Sequence, residues 1–110
     1  MTATTIPITV SQAARALAAT LGFHTQLDQM IEQAIAMFPN VIAVTADRFD
    51  LMDEPEAPRI VITVQRAGIR GPDRWLLRHQ WGEWTWATFR PQVYATIGLE
   101  VTYPDERNAR

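Results

Sequence analysis

The chain has 110 residues, 47% of them hydrophobic and 20% charged, with a formal net charge of −2. That is enough for one domain with its own core. The absence of cysteine excludes disulfides, thiolate metal sites and thiol nucleophiles. All ten basic residues are arginine, which also excludes a Schiff-base lysine and a lysine phosphate cradle.

In chain order, Met1 to Pro7 lacks the basic start and long apolar core of a signal peptide, and residues 1–7 read as loose. Ile6 to Val10 reads as a short edge strand. Ser11 is a plausible N-cap for an alanine-rich helix over Gln12 to Leu21, and Gly22 suits its stop. Thr25 with Asp28 resembles a capping box. Behind it Leu27, Met30, Ile31, Ala34, Ile35 and Phe38 form one apolar helical stripe, closed by Pro39-Asn40.

The period then changes. Val41 to Phe49 is β-branched and strand-like, Leu51 to Pro58 reads as an acidic loop, and Arg59 to Arg66 is the cleanest strand. Ile60, Ile62 and Val64 fall on one of its faces and Val61, Thr63 and Gln65 on the other. Residues 67–73 read as a turn region. Arg74 to Phe89 holds all four tryptophans, Trp75, Trp81, Trp84 and Trp86, and reads as a β-hairpin turning at Gly82-Glu83. In that register Trp75, Leu77, His79, Trp81, Trp84 and Trp86 share a face. Pro91 opens a short helix through Ile97 with Gly98 as its stop. Leu99 to Tyr103 reads as a last strand, and 104–110 as a frayed tail.

The expected fold is α+β. A mostly antiparallel sheet of four to five strands carries two N-terminal helices on one face and a short helix before the last strand. No stretch approaches the ~20 apolar residues of a membrane span. A cytoplasmic location without membrane contact is the expectation.

The charge is unevenly placed. Residues 1–58 balance to −5, residues 59–90 to +4 and residues 91–110 to −1. The basic middle coincides with the tryptophans. Large aromatics on strands are usually core, and in the hairpin reading Trp75 and Trp86 fill that role. Trp81 and Trp84, beside the turn, are the expected contacts. The candidate partner-binding residues are Trp81, Trp84 and Trp86, ringed by Arg74, Arg78 and Arg90. An acidic protein surface fits this local positive island, and so does a second copy meeting through the sheet edge or the hairpin. Arginines interleaved with aromatics also fit a single-stranded nucleic-acid platform on a sheet face, although the acidic whole-chain balance argues against it.

Other patterns point less far. Val10 to Leu17 resembles the first helix of helix-turn-helix DNA-binding proteins over about eight residues. The spacing to Gly22 is too long for the tight turn, and the following helix has no arginine with which to enter a groove. The acidic run from Asp47 to Glu56 lacks the alternating pattern of a calcium loop and reads as solvated. Ser11 is the only serine, and His24 and His79 lie on different elements. No catalytic residues, metal ligands or cofactor are assigned. An enzyme of unknown class is the third reading, behind a protein-binding adaptor, inhibitor or assembly role and a nucleic-acid binder.

Overall fold

A computed structural model describes residues 6–108. Residues 1–5 and 109–110, where loose ends are expected, lie outside the described residues. The elements run β1 (Ile8–Val10), α1 (Gln12–Leu21), α2 (His24–Met37), β2 (Val41–Leu51), β3 (Glu54–Arg66), α3 (Asp73–Thr88), α4 (Pro91–Thr96), β4 (Ile97–Thr102) and α5 (Asp105–Asn108). The strands form one sheet in the order β1-β2-β3-β4.

The fold is α+β, but the sheet is mixed rather than mostly antiparallel. β1 and β2 pair in parallel, β2 and β3 antiparallel, and β3 and β4 in parallel. Connection length explains this. Neighbouring parallel strands need a crossover of at least a dozen residues, and antiparallel ones only a tight turn. Residues 11–40 and 67–96 are two such crossovers, each a pair of helices. The one short link, Met52-Asp53, makes the one antiparallel pair.

Local chemistry sets most boundaries. Ser11 Oγ accepts the Ala14 amide at 3.0 Å and caps α1. Gly22, at φ 75, ends it in the left-handed region that suits glycine. The Thr25–Asp28 capping box does not form. α2 starts two residues earlier, with the Leu27 amide donating to the carbonyl of buried Phe23, and Asp28 pairs with Arg15 instead. The acidic loop expected over 51–58 is also absent: β2 and β3 run through it as a ribbon with Leu51 opposite Glu54. The tail is not frayed over residues 104–108. Asp105 accepts the Gly68 amide and Glu106 accepts from Arg70, pinning α5 to the loop after β3.

Alternation of side chains builds the core. Val44, Ala46, Ile60, Ile62 and Val64 are buried on one side of the central strands. They share a cluster with Ala14, Leu17, Leu27, Met30, Ala34, Phe38, Leu77, Trp81 and Val93 from the helices and their caps. The α2 stripe is buried as its spacing predicts, with Ile35 half-buried at the margin. The opposite sheet face carries Thr45, Thr63, Gln65 and Glu100, none of them fully buried.

The β3 end of the sheet is held by Arg66, only 4% exposed. Its guanidinium donates to the Pro39 carbonyl at 2.9 Å, the Tyr103 hydroxyl at 3.0 Å and Asp73 at 3.0 Å. One side chain thus joins the α2–β2 link, the start of α3 and the end of β4. Burial opposes its charge, yet Asp73 and Tyr103 outweigh that and hold the group above the ordinary arginine value.

Candidate interaction surface

The expected tryptophan hairpin is a helix. Asp73–Thr88 forms α3, a 16-residue helix with Asp73 in its first turn, where a carboxylate meets the positive end of the helix dipole. Leu77, Trp81 and Thr85 recur every four residues and are the buried side chains. His79 and Glu83 meet one turn apart on the outside. The alternation that suggested strands was real, but Trp81 and Trp84 also satisfy i, i+3. The 30-residue gap between β3 and β4 decides for the helix, because a parallel pair needs a crossover there. Arg90 before Pro91 is extended, which separates α3 from α4.

This change of element reassigns the rings. Trp81, expected at a contact, is 7% exposed and packs against Phe38, with centroids 6.1 Å apart. Trp84 is half-buried between Trp81 and Phe89, at 5.2 Å from each. Trp75, expected in the core, is 70% exposed, and Trp86 is 74% exposed. Of the three predicted contact rings only Trp86 faces outward. Trp75 faces outward as well, and its spacing from Trp86 carries that signal. Eleven residues at 100° each return to within about 20°, so the two rings lie on one stripe, about 16 Å apart along the axis. Exposed Leu76 widens this stripe at its start.

Two of the predicted arginines, Arg74 and Arg78, lie beside it. Arg74 lies over the Trp75 ring at 4.7 Å. Arg78 and Trp86 line a groove of about 290 Å³ with Gly82, Thr85, Tyr94 and Leu99. Arg78 Nη1 also donates to the Leu99 carbonyl at 2.6 Å, which covers part of the open edge of β4. Arg90 is exposed where α4 begins.

Charge pairing separates these three from the rest. Among the described side chains, Arg15, Arg48, Arg59, Arg66 and Arg70 each have a carboxylate within 4.0 Å. Arg74, Arg78 and Arg90 have none. The acids around them are otherwise engaged or only nearby: Asp73, next to Arg74 in sequence, is held by Arg66, Glu83 by His79, and Glu106, within reach of the Arg74 charge, by Arg70, while Glu100 lines a second groove beside Arg74 and Arg78. The Arg/Trp sheet face expected for nucleic-acid stacking does not exist, because the tryptophans lie on a helix. The uncovered sheet face is threonine-rich instead.

The acidic segment is the other distinctive surface. β1 pairs only as far as Ala46 and β4 only from Ile60, so residues 47–59 are flanked by no further strand. Phe49 and Met52 are exposed there, at 51% and 97%. Asp47 anchors the base by accepting from Ser11 Oγ at 2.6 Å and from the Arg48 amide. Those donors hold its carboxyl below the ordinary value.

No described helix is long and apolar enough to cross a membrane. No group of three His, Asp or Glu side chains among the described residues is placed to hold a metal ion. No protein-family model, curated protein or solved structure matches this chain.

Proposed function

We propose that this is a non-enzymatic cytoplasmic protein, a single domain that acts by binding another protein through the outward face of α3. The observation that carries this reading is the pair of indole rings, Trp75 and Trp86, more than two-thirds exposed on one helical stripe. Each ring presents a large apolar area to water, and burying it against a partner recovers that free energy. Tryptophan and arginine are the side chains that most often dominate binding energy at interfaces. Here both outward rings have arginines near them: Arg74 stacks on Trp75, and Arg78 shares the groove of Trp86. Arg74, Arg78 and Arg90 have no carboxylate of their own, so the complementary surface is acidic. Adaptor, inhibitor and assembly roles are all served by such a face.

The test is a photoreactive amino acid placed at 75 or 86 in the full chain inside cells, with position 29 on the exposed side of α2 as control. We expect a discrete protein adduct from 75 and 86, lost on Arg74→Glu with Arg90→Glu. Equal adducts from position 29, or none from 75 and 86, would contradict the reading. An adduct to nucleic acid would replace it with the single-stranded binder.

A further inference from the structure

The occupant of this face can be named from the rest of the molecule. We infer that the acidic surface received by α3 is the β2–β3 arm of a second copy, exchanged reciprocally in a two-fold dimer. The inference rests on the α3 reading above and adds the partner.

Three observations lead to it. The first is the arm itself. A two-stranded ribbon is marginal alone in water, yet residues 47–59 extend past both flanking strands. Six residues per strand reach about 20 Å. The radius of gyration, 14.5 Å, exceeds the about 13 Å of a compact chain of this length. A projecting arm adds to that radius.

The second is complementarity. Asp53 and Glu56 at the arm have no cationic partner among the described side chains, while Asp50 and Glu54 hold only exposed pairs with Arg48 and Arg59. The arm therefore carries excess negative charge beside exposed Phe49 and Met52. The α3 face carries excess positive charge beside exposed Trp75 and Trp86. Each has what the other lacks, in both its charge and its apolar part.

The third is direction. β4 begins opposite Ile60, where the arm leaves the body. Tyr94 of α4 stands beside Phe49 and Arg59 at the arm's base and beside Trp86 in the groove. Arm base and the C-terminal end of the α3 face thus share one end of the molecule. Two copies meeting at that end pass their arms along each other's α3, and both contacts form at once, as an isologous interface requires. The open edge of β4 is a poorer route to a dimer, since Arg78 already takes its Leu99 carbonyl.

Charge exchange tests this directly. One variant reverses the arm (Asp53→Arg with Glu56→Arg) and the other reverses the face (Arg74→Glu with Arg90→Glu). Asp53, Glu56 and Arg90 are exposed and Arg74 is half-buried, and circular dichroism checks that each variant folds. Sedimentation of the wild type gives a mass near twice 12.5 kDa at low salt, falling as salt rises. Each variant alone is monomeric, because both of its reciprocal contacts are like-charged. An equimolar mixture restores the dimer as a 1:1 heterodimer, in which both contacts are again opposite in charge.

A monomeric wild type overturns the inference and leaves the α3 reading to its own cross-linking test. A mixture that stays monomeric, or variants that dimerise alone, overturns it as well. In the last case Trp75→Ala with Trp86→Ala separates the two claims. If that pair abolishes the dimer, the α3 face stands with a different contact. If the dimer persists, it forms through another surface, and the α3 reading is again left to its cross-linking test.

Discussion

Replacing Gly82 with alanine should stabilise this protein, and the sign of the effect distinguishes the helix from the hairpin. Gly82 sits in the middle of α3 and does not adopt a positive φ. An added Cβ would meet no heavy atom within 4 Å. Glycine in a helix interior costs about 0.8–1 kcal/mol relative to alanine, mostly through backbone entropy in the unfolded chain. With no steric penalty to subtract, Gly82→Ala should gain nearly all of it. For 110 residues the unfolding entropy is about 0.23 kcal/mol/K at about 2.1 cal/mol/K per residue, so the midpoint should rise by about 4 °C. A thermal melt followed by circular dichroism at 222 nm measures this. Had residues 74–89 formed a hairpin, Gly82 would occupy the positive-φ position of a type II′ turn. Alanine there would lower the midpoint by a comparable amount. A lowered or unchanged midpoint would refute the helical reading of this segment.

Other predictions follow from burial and pairing. Arg66→Ala should cost about 3 kcal/mol in urea unfolding, since it strands the Pro39 carbonyl and the Tyr103 hydroxyl and removes a buried charge-assisted network. Arg66→Lys should recover only part of this, because an ammonium cannot supply the forked geometry; a lysine variant as stable as the wild type would contradict that role. At a salt concentration that keeps the chain monomeric, Trp81→Ala should cost about 3–5 kcal/mol, whereas Trp75→Ala and Trp86→Ala should each stay within about 0.5 kcal/mol. The reverse order would restore the hairpin assignment of the rings. Stability should also fall in acid. Asp47 is held below its ordinary 3.8 by Ser11 and the Arg48 amide, and Glu106 below its ordinary 4.5 by Arg70. A lowered folded-state value stabilises the fold above the ordinary value, and the contribution disappears as pH drops through the lowered one. Asp47→Asn with Glu106→Gln should therefore flatten the decline of melting temperature below pH 4.5, and an unchanged slope would count against both contacts.

Much of the fold could be read from local signals where chemistry and pattern agreed. Ser11 and Gly22 bound α1, and the Leu27 to Phe38 stripe marks the buried side of α2. The alternation of Ile60, Ile62 and Val64 identifies the buried face of β3. Errors arose where two periods fitted one segment. Trp75, Leu77, His79 and Trp81 alternate like a strand, and Gly82-Glu83 looks like a turn. The buried set Leu77, Trp81 and Thr85 repeats like a helix. Only the demand for a crossover between parallel strands settles the matter, and that demand is not local. The same nonlocality hid the long β2–β3 ribbon, because Pro55, Pro58 and three acids imitate a loop. It also inverted the contact rings. Arg74, Arg78 and Arg90 stand out by charge in both sequence and structure, since all three lack a carboxylate partner among the described side chains.

Fluorine NMR of the full chain labelled with 5-fluorotryptophan, followed over a dilution series, tests the central claim most directly. Four resonances report four rings, each assigned by single substitution. Association through the outward face of α3 predicts that the Trp75 and Trp86 signals shift with concentration while those of buried Trp81 and half-buried Trp84 hold still. Four signals unmoved across a range in which sedimentation shows a dimer would contradict the claim, because association would then proceed without the two exposed rings.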